Sequence, residues 1–197
     1  MRVLIIGGTG LISTGVAKHL NARGASVVMY NRGARSSGPL VGVAQIRGDR
    51  NEFTSFEERL ASERFDVVID MICFSEAQAE SAMRAFAGRC EQYVLCSTVC
   101  VYGVNIARGV LIDEGFTPEP ISTYARNKLA CERILLGAAR DGCFQTTIIR
   151  PSSTYGPGAS LIDNLEFDPP TWDRIQKGLP VLCVVLLAGT GWLYLGV

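Results

Sequence analysis

Six short apolar runs, each separated from the next by a longer stretch of mixed character, constrain this chain more than any other feature. The runs are RVLIIG (2–7), SVVMYN (26–31), VAQIRG (43–48), DVVIDMI (66–72), QYVLCST (92–98) and FQTTIIR (144–150). Their near-continuous aliphatic and β-branched content predicts strands buried on both faces. Between them, apolar residues recur at helical spacing over about 11–23, 53–64, 76–88 and 122–140. Ser122 or Thr123 is placed to cap the last of these helices. Strands alternating with helices in this way predict a doubly wound α/β fold with a parallel sheet. A chain of 197 residues with 48% apolar content can supply the core of one such domain.

Charge excludes some functions. The 19 basic and 19 acidic residues cancel, so no field steers the chain toward nucleic acid or an anionic membrane, and an anionic ligand must be held locally. Seven cysteines show no Cys-x-x-Cys pair, and the single histidine, His19, leaves no cluster with metal-ligand spacing. No metal site is expected. The cysteines read as reduced, mostly buried thiols of a cytoplasmic protein, and the N-terminus, Met1-Arg2 followed at once by VLIIGG, reads as a first strand rather than a signal peptide.

The first strand runs into GGTGLIS, with Gly7, Gly10 and Ser13 at three-residue intervals. Gly7 permits a tight turn, Gly10 lets backbone amides approach a pyrophosphate at a helix N-terminus, and Ser13 stands where a third small residue allows close helix–sheet packing. Following the first buried strand of a βαβ unit, this turn predicts a dinucleotide-binding, Rossmann-type domain. The second strand ends in MYNRG, with no acid to meet a ribose 2′-hydroxyl. Asn31 can hydrogen-bond a ribose, and Arg32 can neutralise a 2′-phosphate or stack on adenine, so NADP suits this turn at least as well as NAD. A solvated arginine in a glycine-rich turn is the plainer alternative.

YARNK places Tyr124 and Lys128 four residues apart, on one face of the last predicted helix. A phenol with a pKa of about 10 is a poor acid or base near neutrality, and an ammonium one turn away favours its ionised form. Ser97 and Thr98, at the end of the fifth strand, lie at the sheet edge where ligands bind in such folds.

GGTGLIS, STVCVYG, YARNK and RPSSTYGPG occur in this order. Over residues 1–160 the sequence resembles the extended short-chain dehydrogenase/reductase family, in its NAD-dependent epimerase/dehydratase group. The resemblance implies Tyr124 as general acid/base, Lys128 as its electrostatic partner and a ribose ligand, and Thr98 as the hydroxyl that polarises the substrate oxygen. It implies that Gly7, Gly10, Leu11 and Ile12 face the pyrophosphate and that Asp49, in RGDRNE, contacts adenine with Arg50 beside it. A turn-forming surface pair is the other reading of Asp49 and Arg50. Pro151, Ser152 and Ser153 would line the nicotinamide side. Met71, Ile72 and Cys73 depart from the small residues usual after the fourth strand. The implied reaction is reversible hydride transfer on a small-molecule substrate, typically a nucleotide-linked sugar. Alternatives are a catalytically impaired NAD(P)-binding module and, because NRG, GDRNE and FDVVID resemble a subgroup with RNA-associated members, an RNA-associated relative. Homodimers built on helix pairs are common in the family.

Beyond Gly158 the character changes, with Pro169, Pro170 and Pro180 and a short helix predicted near 171–178. Residues 1–158 are expected to form the cofactor domain and 159–197 a truncated or atypical substrate lobe. Residues 178–197 after Lys177 carry no charge. They are only marginally long enough for a membrane span of roughly 20 residues, and Pro180, Gly189, Gly191 and Gly196 oppose one. The tail reads instead as a strand pair turning at GTG, or as a segment foreign to the family's usual continuation.

Overall fold

The computed structural model describes residues 1–33, 40–103, 112–152, 154 and 177, and the backbone of 182–187 and 191–196. Six parallel strands, β1 (Arg2–Ile6), β2 (Ser26–Asn31), β3 (Ala44–Arg47), β4 (Phe65–Asp70), β5 (Cys90–Cys96) and β6 (Gln145–Ile149), form one sheet in the order β3-β2-β1-β4-β5-β6. The helices are α1 (Leu11–Ala22), α2 (Phe53–Leu60), α3 (Glu76–Phe86) and α4 (Thr123–Arg140), with a short 3-10 helix at Val99–Tyr102. Strand order reverses between β1 and β4, and such a reversal opens a crevice at the carboxyl ends of the strands.

Alternation along the central strands assigns each residue to a layer. Val3, Ile5, Val27 and Met29 pack against Ala17 of α1 on one face. Leu4, Ile6, Val28 and Tyr30 face the other way, onto Phe56, Ala82 and Leu135 of α2, α3 and α4. That second layer carries a run of aromatic contacts, from Tyr30 on Phe56 (5.1 Å between centroids) through Phe86 to Tyr93, which stacks on Phe144 at 5.2 Å. Helix starts follow local chemistry. Ser122 rather than Thr123 caps α4, accepting from Ala125 N, and Ser75 caps α3.

The expectation of burial on both faces fails for two strands. β3 and β6 lie at the sheet edges: Ile46 and Ile148 reach the core, while Ile149 is half exposed. Edge position follows from strand order, which composition does not reveal. Residues 182–187 and 191–196 pair as antiparallel strands β7 and β8, so the tail is extended there rather than helical. No helix among the described residues is long and apolar enough to cross a membrane. The helix expected near 171–178 and the boundary at Gly158 lie outside the described residues, apart from Lys177.

Candidate functional site

The turn after β1 is built around two glycines with different tasks. Gly7 has φ +85°, and a Cβ there would lie 2.6 Å from Ile72 Cγ2, so only glycine fits. Gly10 precedes α1, and a Cβ on it would meet only Ser13 Oγ, at 3.5 Å. It borders open space. Ser13 is buried; its hydroxyl accepts from Gly10 N at 2.9 Å and donates to Gly10 O at 3.1 Å. The serine in the third position therefore packs and also ties the turn. The first-turn amides of α1, including Leu11 and Ile12, have no intrahelical acceptor and present partial positive charge.

The turn faces a cavity of about 480 Å³ at the strand-order reversal. Gly7, Gly10, Leu11 and Ile12 form one wall, and Asn31, Arg32, Asp49 and Arg50 form the end beyond β2 and β3. Asn31 Oδ1 accepts from Gly33 N (2.9 Å) and Gln45 Nε2 (2.5 Å), so its amide nitrogen is what it can offer a ribose. Arg32 is exposed and only 3.9 Å from Asp49, whose Oδ1 accepts from Asn51 N.

Arg50 is not a surface residue. It is 2% exposed, donates from Nη2 to Asp70 Oδ2 and to Gln78 O, each at 2.8 Å, and lies over the Phe56 ring. Its Nε and Nη1 meet no acceptor among the described residues. Burial works against the charge of the guanidinium, and Asp70 together with Tyr93 and Cys73 outweighs it, leaving the pKa raised. Asp70 also accepts from the Tyr93 hydroxyl at 2.6 Å and from Ile72 N at 3.0 Å.

Lys128 is 1% exposed, yet it is an ammonium with built partners. Its Nζ donates to Cys73 O (2.9 Å) and Cys96 O (2.6 Å), at the ends of β4 and β5, and lies 4.7 Å from the Phe74 ring centroid. Tyr124, one turn earlier and 47% exposed, has its ring 6.3 Å from that of Phe74. Thr98 is buried and caps the 3-10 helix, its side chain accepting from Cys100 N. Val101 and Tyr102 of that helix pack on Leu129 of α4. Ser97, the other hydroxyl at this edge, donates to Glu132 Oε1. Glu132 holds Arg150 through both carboxylate oxygens, and Arg150 Nη1 donates to the Tyr102 hydroxyl at 2.6 Å.

Two structural groups thus emerge from the sequence candidates. The cavity gathers the glycine turn, Asn31, Arg32, Asp49 and Arg50. Tyr124, Lys128 and Thr98 lie outside its lining, with Phe74 joining the Tyr124–Lys128 pair to it. Pro151 and Ser152 are not among the residues that line it, whereas Thr154 is; Ser153 lies outside the described residues. Met71 and Ile72 line the cavity, and Cys73 turns inward. A hydrogen bond with Cys131 and burial push the Cys73 thiol pKa up, while its carbonyl serves Lys128. The sequence reading missed Asp70, Phe74, Gln78, Glu132 and Arg150. The available signal was an acid closing the apolar run DVVID and a glutamate one turn past Lys128.

A glycine turn against a cavity at the strand-order reversal of a parallel sheet, beside a buried lysine, defines a Rossmann-type dinucleotide site architecture. The chain matches the model of the NAD dependent epimerase/dehydratase family over residues 3–191 and belongs to that family. It is 34% identical over 182 residues to the 2′-dehydrokanamycin reductase of Streptomyces kanamyceticus, covering 92% of this chain and 51% of that protein. It is 27% identical to the chloroplast stem-loop binding protein of 41 kDa b of Arabidopsis thaliana, covering 91% of this chain and 48% of that one. The Thermus thermophilus UDP-glucose 4-epimerase, solved as a complex with NAD, superposes with a TM-score of 0.72 at 24% identity, covering 92% and 64% of the two chains. The chain spans about half the length of the curated relatives it matches.

Proposed function

We propose that the chain is the cofactor-binding and catalytic part of an NAD(P)-dependent oxidoreductase or epimerase acting on a hydroxyl or ketone of a sugar-like substrate. The observation that carries this reading is Phe74, which lines the cavity and lies against both Tyr124 and Lys128. The groups present suit a dinucleotide. Gly10 leaves room for a pyrophosphate beside the α1 amides, and two buried nitrogens of Arg50 meet no acceptor among the described residues. Arg32 and the lack of an acid at the end of β2 suit NADP at least as well as NAD.

A bound nicotinamide would supply or accept the hydride. In reduction the Tyr124 hydroxyl gives its proton to the substrate carbonyl oxygen, and in oxidation its phenolate takes the proton back. Lys128, fixed by two carbonyls, carries the positive charge that favours the phenolate. Thr98, which follows β5 and caps the 3-10 helix, is assigned as the hydroxyl for the substrate oxygen. The reductase named among the relatives makes a keto-aminoglycoside a natural member of a substrate panel, beside nucleotide sugars. Residues 1–158 are assigned the cofactor and these groups, and 159–197 the start of the substrate lobe. The stem-loop-binding relative raises an RNA-binding reading, which the balance of 19 bases and 19 acids does not favour.

The test is NAD(P)H-linked turnover with such a panel. Tyr124→Phe is expected to lower the rate roughly 10²- to 10⁴-fold while dinucleotide binding is retained. Equal rates for wild type and variant would sink the assignment, as would firm cofactor binding with no substrate turned over.

A further inference from the structure

The cavity and the Tyr124–Lys128 pair do not open directly onto each other. Phe74 lines the cavity, and the same ring lies 4.7 Å from Lys128 Nζ and 6.3 Å from the Tyr124 ring. An ammonium has three donors. Two of those on Lys128 are committed to Cys73 O and Cys96 O, and the aromatic face covers the group, leaving Lys128 1% exposed. A ligand that extends along the cavity toward Lys128 meets the Phe74 ring first.

The backbone and side chain of Phe74 are held very differently. Its N–H donates to Gln78 Oε1 at 2.6 Å, and the next residue, Ser75, caps α3. The side chain is 43% exposed, so rotation to another staggered rotamer moves the ring toward solvent without opening the core.

We propose that Phe74 is a gate residue that competes with the ligand for Lys128: its ring occupies the ammonium until ribose hydroxyls on the far side of the pyrophosphate displace it. This rests on the dinucleotide reading of the cavity. The gate makes a specific distinction, because a full dinucleotide reaches past the ring and must displace it, whereas adenosine diphosphate ends before it. Phe74 is thereby a specificity-determining residue that opposes long ligands and leaves short ones unaffected.

The experiment is a fluorescence titration with NADPH, and competition by adenosine diphosphate, on wild type, Phe74→Leu and Phe74→Tyr. Loss of the cation–π contact predicts that Phe74→Leu binds NADPH about 3- to 10-fold tighter. Adenosine diphosphate should bind within about twofold of wild type. Phe74→Tyr keeps the aromatic face and should match wild type for both ligands. Should Phe74→Leu fold poorly, Phe74→Met carries the same expectation, with melting curves confirming the native state. Weaker or unchanged NADPH binding in the folded variant overturns the gate, as does an equal change for both ligands. If wild type binds neither ligand, the dinucleotide reading fails and the gate with it. If wild type binds both and the variants do not discriminate, the gate alone fails.

Discussion

Two guanidinium–carboxylate pairs bracket the site, and they are built in opposite ways. Arg150 has a partner on each nitrogen: Nε and Nη2 reach the two oxygens of Glu132, Nη1 reaches the Tyr102 hydroxyl, and the cation lies 4.8 Å from the Tyr102 ring centroid. Hydrogen bonding to Glu132 raises its pKa. Arg50 is more deeply buried yet under-used, with one nitrogen serving Asp70 and Gln78 and two meeting no acceptor among the described residues. Leaving buried donors unmet costs stability, so a fold that keeps them at a cavity wall has donor capacity in reserve there. The Arg150 pair fastens β6 and the 3-10 helix to α4. The Arg50 pair lies at the wall of the cavity.

Breaking each pair by removing charge at nearly constant shape sharpens the contrast. Asp70→Asn leaves the Arg50 guanidinium buried without a counter-charge, and a loss of about 3–5 kcal/mol in denaturant-melted stability is expected. Glu132→Gln strips the charge from a partner whose arginine still reaches solvent, with a side chain 21% exposed. A loss of about 1.5–3 kcal/mol is expected there. Comparable losses from the two substitutions would contradict the distinction. The surface pair Arg84–Glu57 (2.8 Å) is the control. Its hydrogen bonds hold the Glu57 carboxyl below its ordinary range. That contribution is therefore present above the unfolded value of about 4.3 and fades as pH falls through the lowered one. Glu57→Gln should cost no more than about 0.2–1 kcal/mol at neutral pH and nothing in acid. A larger loss, or one that persists in acid, would show a role beyond the ion pair.

The frame of the fold was legible because it depends on local pattern. RVLIIG before a glycine turn can be little other than a buried strand entering a helix, and the observed Arg2–Ile6 and Leu11–Ala22 fall where the pattern places them. The glycine turn was legible as a cofactor candidate for the same reason, whereas Asp49 and Arg50 were candidates only through the family resemblance; both stretches contribute to the cavity lining. What escaped was set by partners distant in sequence. Asp70 is one polar residue in the apolar run DVVIDMI, and only the fold pairs it with Arg50, twenty residues earlier. Glu132 has no partner nearby in sequence, and only the fold brings Ser97 and Arg150 onto it. Phe74 reads as an apolar residue in a loop, and only the placement of α4 sets Lys128 against its ring. The exposure of β3 and β6 likewise follows from sheet order rather than from composition.

Gly10 offers the most direct test of the central claim, that this cavity receives a dinucleotide. A Cβ there meets nothing closer than 3.5 Å, so Gly10→Val should keep the native fold, at a modest cost in melting temperature for a poorer N-cap, while its side chain fills the space a pyrophosphate needs. Titration of NADH and NADPH into wild type and Gly10→Val is expected to show saturable binding by the former. The variant should bind at least roughly tenfold more weakly. Equal affinities for the two proteins, or no binding by well-folded wild type, would contradict the account.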